Sequence, residues 1–347
     1  MHPRHLISAI TIAVVLAGGA LVVPVAGQAP TATTPTYTPP RTPWGDPDLQ
    51  GVYDFQTYVT MERPPEWAGK PTRTDEELAK WAKEHTAGED WTLRHYVKDN
   101  RTALITDPPD GKLPLTPEGG KRYLALEEYR RIHQQSYETW AEIGSYEQCI
   151  SRVIPRLYQG YNSGTEIVQS PGYVTIIYEQ LDTRVIPLDG RPHPDPKVKQ
   201  WDGDSVGHWE GDTLVVDVAN FSDKQTGWPP MRDWGGAEDQ LDQTGIPRGN
   251  LHMIERYRPV SATRLEYTVT NEDPTWFSRP WTFMLPWERE KDYQLYEYAC
   301  TEGNLAVEDS LRGERVKELR GDAYVPPAGV GDGARNGRPQ NPPRLPR

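Results

Sequence analysis

The sequence predicts a mainly β protein, an antiparallel β-barrel or lipocalin-like sandwich with a small N-terminal helical segment. Three observations carry that expectation. From Cys149 onward, eight or nine short alternating runs follow one another closely, each bounded by turn residues. Their alternation is two-faced rather than continuously apolar, which favours antiparallel pairing over one core. Finally, 34 prolines in 347 residues leave little room for long helices.

The chain opens on "MHPRHLISAITIAVVLAGGALVVPVAG", with Arg4 ahead of an apolar run to about Val25 and small residues after it. That is the layout of a secretory signal peptide over residues 1–27, and it points to a secreted or periplasmic protein. An uncleaved anchor is the alternative for so long a run, although Gly18, Gly19 and Pro24 disfavour a spanning helix. Residues 28–48 read as a Pro/Thr-rich tether, extended and poorly packed.

Residues 49–148 read as a strand plus a helical segment packing on the barrel. The strand runs from Gly51 to about Thr60. Thr74 and Glu77 form a capping box that opens a helix to about His85. Thr116 and Pro117 open a second helix to about Trp140. Residues 149–313 form the barrel domain. Its strands are "GTEIVQS", "GYVTIIYEQ", "TRVIPL", "SVGHWE", "DTLVVDVANF", "LHMIERYRPV", "TRLEYTVTNED", "PWTFMLPWE" and "YQLYEYAC". Residues 314–347 read as a disordered Pro/Gly-rich tail.

Two cysteines, Cys149 and Cys300, suit a disulfide in an exported protein, with two buried thiols as the alternative. A bridge across so long a loop would constrain the unfolded chain by about 4–5 kcal/mol in the entropy account. No histidine stands at zinc-type spacing beside either one, so no metal is expected. A net charge of −12 argues against nucleic acid as a partner. A membrane partner would come only through the N-terminal segment, if uncleaved. Walker A, GxGxxG and HExxH motifs are missing, so no cofactor is expected. "GDSVG" departs from the nucleophile elbow because Asp204 precedes Ser205.

"DPDLQGVY", "EIVQSPGYVTIIYE", "RVIPLDGRPH", "GDSVGHWEGDTLVVDVANF" and "YEYACTEGN" together resemble a widespread family of exported bacterial proteins. The resemblance spans about Pro47 to Gly313. It implies export and carries no activity, so it assigns no catalytic residues. Relatives tend to carry His where this chain has Thr301, which implies that the position is not essential.

The densest polar stretch is "WDGDSVGHWEGDTLVVDV", Trp201–Val218. It fails the calcium-loop pattern, since Val206 and Thr213 occupy ligand positions. A hairpin through Glu210–Gly211 accounts for Glu210, Gly211 and Asp212, with Asp212 free to bond its own downstream backbone. As a strand, the segment before the turn places Asp204, Val206, His208 and Glu210 on one face. Ser205, Gly207 and Trp209 take the other. His208 between two carboxylates, with Glu255 as a second carboxylate, makes a candidate catalytic set of His208, Asp204 and Glu255. The other reading of that face is solvated polar surface.

Glu255 shares a face with Met253 and Tyr257, and His252 lies on the opposite face. Pointing inward, Glu255 would need a partner such as Arg184 or a ligand. Tyr178 and Glu179 take opposite faces of their strand. His193 sits in a Pro-rich loop, where a side chain is displayed rather than packed. Trp276 and Trp281 suit an aromatic rim that stacks on a ring; the alternative is core packing. With Trp209, these residues are the candidate ligand contacts.

An excess of 12 Trp and 18 Tyr over 4 Phe suits a half-wet cavity. The leading expectation is therefore an exported barrel that binds a small organic molecule or saccharide. The alternatives are an acid–base hydrolase or lyase using the His208 set, and an envelope scaffold without ligand.

Overall fold

A computed structural model describes residues 37–57, 59–85, 97–133, 140, 143–157, 164–224 and 249–321. The expected signal segment, the start of the expected tether and the chain beyond residue 321 lie outside these. Ten strands form one antiparallel sheet: β1 (Gly51–Asp54), β2 (Ile105–Asp107), β3 (Thr165–Ser170), β4 (Tyr173–Tyr178), β5 (Thr183–Pro187), β6 (Asp204–Glu210), β7 (Thr213–Ala219), β8 (His252–Pro259), β9 (Arg264–Glu272) and β10 (Trp281–Glu290). Among the described residues, three α-helices accompany them: α1 (Asp75–His85), α2 (Pro117–His133) and α3 (Ala306–Arg320).

The strand order is β5-β4-β3-β1-β10-β9-β8-β7-β6, with β2 pairing the start of β10. Antiparallel pairing of sequential strands builds both arms, and β1 joins them by pairing β3 on one side and β10 on the other. The β6–β7 hairpin turns at Gly211 and Asp212, with Glu210 opposite Thr213. Gly211 has φ +62°, the positive value a two-residue loop needs. Asp212 does not bond its own backbone as expected; it pairs with Arg41 across the chain.

Register puts one side-chain set on a common inner face. Ile176 stands opposite Arg184, Gly207 opposite Val216, Val216 opposite Glu255, and Glu255 opposite Val269. All of these are buried. The core therefore sits on one side of the sheet. Trp287 lies near its centre, 5.6 Å from Phe55, 5.6 Å from Tyr257 and 5.2 Å from Tyr267 between ring centroids. Burying each such side chain contributes about 1.5–3 kcal/mol. Phe55, Met61 and Leu104 from the N-terminal segment belong to the same core.

Laid flat, this nine-strand path would hold β5 and β6 about 38 Å apart. Instead the Arg184 guanidinium on β5 donates to the Ser205 hydroxyl on β6 at 2.8 Å. The sheet thus rolls until its two edges meet through side chains, while no backbone ladder joins them. Gly207 permits the approach: a Cβ there would lie 2.8 Å from both Ile186 Cγ2 and Leu188 Cδ2.

The helix signals hold at their starts. The Thr74 amide donates to Glu77 and the Glu77 amide to the Thr74 hydroxyl, a reciprocal capping box. The Thr116 hydroxyl accepts from the Gly119 amide. Described helix α2 ends at His133, and residues 134–139 of its expected extent lie outside the described residues. Cys149 and Cys300 are disulfide-bonded, with Cα atoms 5.7 Å apart. Among the described residues, no helix is long and apolar enough to cross a membrane.

Four expectations are corrected. The first strand stops at Asp54, because buried Asp54 turns back to accept from the Gln56 amide. "YQLYEYAC" forms no strand; its tyrosines reach sideways, Tyr293 to Glu179 and Tyr298 to Tyr146. The expected disordered tail begins too early, since α3 runs to Arg320 and closes on Gly321 at φ +68°. The tether's end, residues 40–48, folds into a bridged turn, with Arg41 paired to Pro47 and Thr42 buried.

Replacing Gly207 by Val should push β5 away from β6 and lower unfolding free energy by about 1–3 kcal/mol. Urea denaturation would measure it. An unchanged midpoint would mean that the two edges do not pack.

Candidate functional site

The inner face carries charge as well as apolar bulk. Glu255 is 0% exposed on β8. Arg184 answers it end-on, with Nη1 3.1 Å from Oε1 and Nη2 2.6 Å from Oε2. The Tyr267 hydroxyl donates to Oε1, and Tyr257 reaches the same oxygen at 3.5 Å. Burial alone would lower the Arg184 pKa, but Glu255 and the tyrosines outweigh it and raise it well above its ordinary value. Burial first, and then Glu255, hold the Tyr257 and Tyr267 hydroxyls firmly protonated.

Tyr178 adjoins this pair at the end of β4. Its ring is 3% exposed. Its hydroxyl comes under the influence of Arg184 without a hydrogen bond of good geometry to any described residue. Burial is the main cause that pushes it up to about 12, opposed by Arg184 and helped by Glu255. Over the same ring, 4.9 Å from its centroid, lies the guanidinium of Arg156, itself 2% exposed. Arg156 donates through Nη2 to the Gln180 carbonyl at 2.8 Å and to Asp182. Its Nε and Nη1 have no partner among the described residues, nor have Arg184 Nε and the Thr165 hydroxyl opposite Tyr178.

The segment bearing Arg156 is stitched to the β4–β5 turn. The Arg152 amide donates to Asp182 at 3.0 Å, and the Ser151 hydroxyl to Asp202 at 2.7 Å. Burial above all, opposed by Arg156 and helped by Asp202, raises the Asp182 carboxyl to about 6. Cys149, Val153 and Leu181 have φ of 55°, 67° and 68°. Such values strain any residue with a Cβ, and Val153 is β-branched. Strain of this kind clusters at functional sites.

The outer face carries a second assembly. His193 arrives on its loop and reaches Asp204 on β6 at 2.6 Å and Asp217 on β7 at 3.1 Å. His252 on β8 reaches the same Asp217 oxygen at 2.8 Å. His193 can donate from both nitrogens together only as an imidazolium. The His252 pKa is raised mainly by its hydrogen bond to Asp217, whose own pKa is lowered in return.

The structure redistributes the predicted residues. Tyr178, Arg184 and Glu255 meet inside, and His193, Asp204 and His252 meet outside. The catalytic set of His208, Asp204 and Glu255 does not form. Strand alternation puts Glu255 on the inner face and His208 on the outer one, where exposed His208 meets Glu210 and Arg256 continues the pairing. Trp276 and Trp281 make no rim. They are 4% and 0% exposed and pack with Phe277 and Phe283. Trp209 leans on the core, half-buried. Buried Glu179 accepts from the Tyr293 hydroxyl and the Gly164 and Tyr296 amides, which makes it a tie between segments.

Arg156, Asp182, Tyr267 and Asp217 were not anticipated. The alternation of "TRLEYTVTNED" places Tyr267 in phase with Leu265 and Val269, and that signal was readable. Arg156 lies in an irregular segment with no period to follow. Among the described residues, no group of three or more His, Cys, Asp or Glu side chains is arranged to hold a metal. No protein-family model, curated protein or solved structure matches the chain.

Glu255→Leu should cost about 3–5 kcal/mol, because it strands the buried Arg184 charge. Adding Arg184→Met should recover most of that loss in urea denaturation. A single variant of near wild-type stability would mean that Arg184 has another partner. On the outer face, Asp217→Asn should return the His252 pKa toward its ordinary value, read by NMR titration. The raised pKa also fixes a sign. The His252–Asp217 contribution to stability is full below about pH 6.5 and fades as pH rises through the folded-state value.

Proposed function

We propose that the chain is an exported binding protein for a small organic ligand, a saccharide or an aromatic metabolite. In this reading the rolled sheet serves as a lipocalin-like barrel and the ligand meets its inner face beside Tyr178. One observation carries the proposal: hydrogen-bonding capacity is buried and left open around that ring. The Thr165 hydroxyl, two nitrogens of Arg156 and one of Arg184 have no partner among the described residues, and the Tyr178 hydroxyl has only a poorly aligned approach from Arg184. Each such group costs about 1–3 kcal/mol when unmet, so a ligand that meets several gains correspondingly.

Export is supported by the Cys149–Cys300 bridge, since such bonds persist in oxidising compartments. The N-terminal layout and the resemblance to exported bacterial proteins point the same way. The enzyme reading loses its support with the separation of His208 from Glu255.

The proposal predicts that the oxidised chain gains thermal stability with one or more members of a panel of monosaccharides, aromatic alcohols and aromatic acids. Tyr178→Phe should weaken that binding by about 2- to 10-fold and leave the free protein no less stable. If no compound shifts the melting temperature at about 10 mM, or Tyr178→Phe binds unchanged, the site is wrong.

A further inference from the structure

The inner-face site has a chemical sign. We propose that its ligand carries a carboxylate, and that Arg156 is the group that receives it. This rests on the ligand-binding reading above and narrows the class of ligand to a small organic acid.

The argument starts from the inventory of charge. Glu255 is fully committed, with both oxygens on Arg184 and two tyrosine hydroxyls beside them. Arg184 is committed through both terminal nitrogens, to Glu255 and Ser205, and only its Nε is open. Arg156 is different. It is 2% exposed, yet only one of its three nitrogens has a partner among the described residues. Guanidinium has five donors and no acceptor, so the open positions can be met only by acceptors. A buried cation calls for an anionic acceptor above a neutral one, because the charge-assisted bond is stronger.

The local anions do not fill that role. Asp202 is engaged with the Ser151 hydroxyl. Asp182 already receives Arg156 through Nη2 and the Arg152 amide, so its acceptor positions are taken up within the segment. Arg152 adds a second cation, its guanidinium 4.3 Å from the Tyr146 ring centroid. The segment therefore gathers two arginines beside Asp182 and Asp202, both of which already hold other partners.

The geometry suits an organic acid over a bare ion. The Arg156 guanidinium lies 4.9 Å from the centroid of the Tyr178 ring, whose hydroxyl and cross-strand neighbour Thr165 offer further hydrogen bonds. A carboxylate on Arg156 would leave the rest of the ligand against these two hydroxyls. The disulfide holds Cys149, seven residues before Arg156, against Cys300, so the segment is anchored before any ligand arrives.

Calorimetry on the oxidised chain tests this with matched pairs: glucuronate against glucose, and benzoate against benzyl alcohol. The acid of at least one pair should bind about 10- to 100-fold more tightly than its neutral partner. Arg156→Gln should erase that advantage while leaving the neutral compound's affinity in place. Should Arg156→Gln not fold, Arg156→Lys keeps the charge and stem, and loss of part of the advantage there gives the same reading. Two results would overturn the inference and leave ligand binding intact: equal affinity for acid and neutral compound, or an advantage that survives Arg156→Gln. If none of the four compounds nor any other member of the panel binds at about 10 mM, the ligand-binding reading itself fails, and this one with it.

Discussion

The Arg184–Glu255 pair is the contact on which the rolled shape turns. It links β5, at one end of the strand order, to β8, near the other end. As an energy source the pair is weak, because removing two charges from water offsets most of their attraction. As a constraint it is strong. Apolar side chains pack in many registers at similar cost, whereas a buried carboxylate has one acceptable address. Ser205 and the two tyrosines fix that address further, and Gly207 leaves the room that lets β5 and β6 come together there.

The far side of the same interior is built differently. There the closing elements are an irregular segment, a β-turn and a disulfide, with residues in strained backbone conformations. Left-handed Val153 and Leu181 oppose the local preference of the chain and must be held by their surroundings. The hydrogen bonds from Ser151 and Arg152 to Asp202 and Asp182, together with the covalent bridge, do that holding. The result places the Arg156 guanidinium over the Tyr178 ring.

The sheet was legible because period-2 alternation survives every context in which one face is buried. "GYVTIIYEQ" and "TRLEYTVTNED" announce their inner faces residue by residue. The need of Glu255 for a partner, and Arg184 as that partner, followed from the cost of an unpaired buried charge. What could not be read was which strands lie beside which. Asp217 gains its meaning only when the loop after β5 folds back to bring His193 onto β6 and β7. The tryptophans misled for a related reason. A Trp that lines a cavity and a Trp that fills one have the same local sequence, and only the third dimension separates them. Arg156 was invisible because its segment has no period at all.

The two polar assemblies differ in a way that bears on function. On the outer face His193, His252, Asp204 and Asp217 satisfy one another, and water reaches them. Among the described residues, none of these four has a buried side-chain polar atom without a partner. On the inner face the hydroxyls of Thr165 and Tyr178 and the nitrogens of Arg156 and Arg184 are buried with bonds unmade. A domain is stable by only about 5–15 kcal/mol, and several unmet groups at about 1–3 kcal/mol each consume much of that. A core selected for stability alone would replace Tyr178 by Phe and Thr165 by Val. Retaining the polar forms has a physical rationale if their partners arrive from outside the chain. Binding would then stabilise the fold by mass action and link ligand occupancy directly to the stability of the protein.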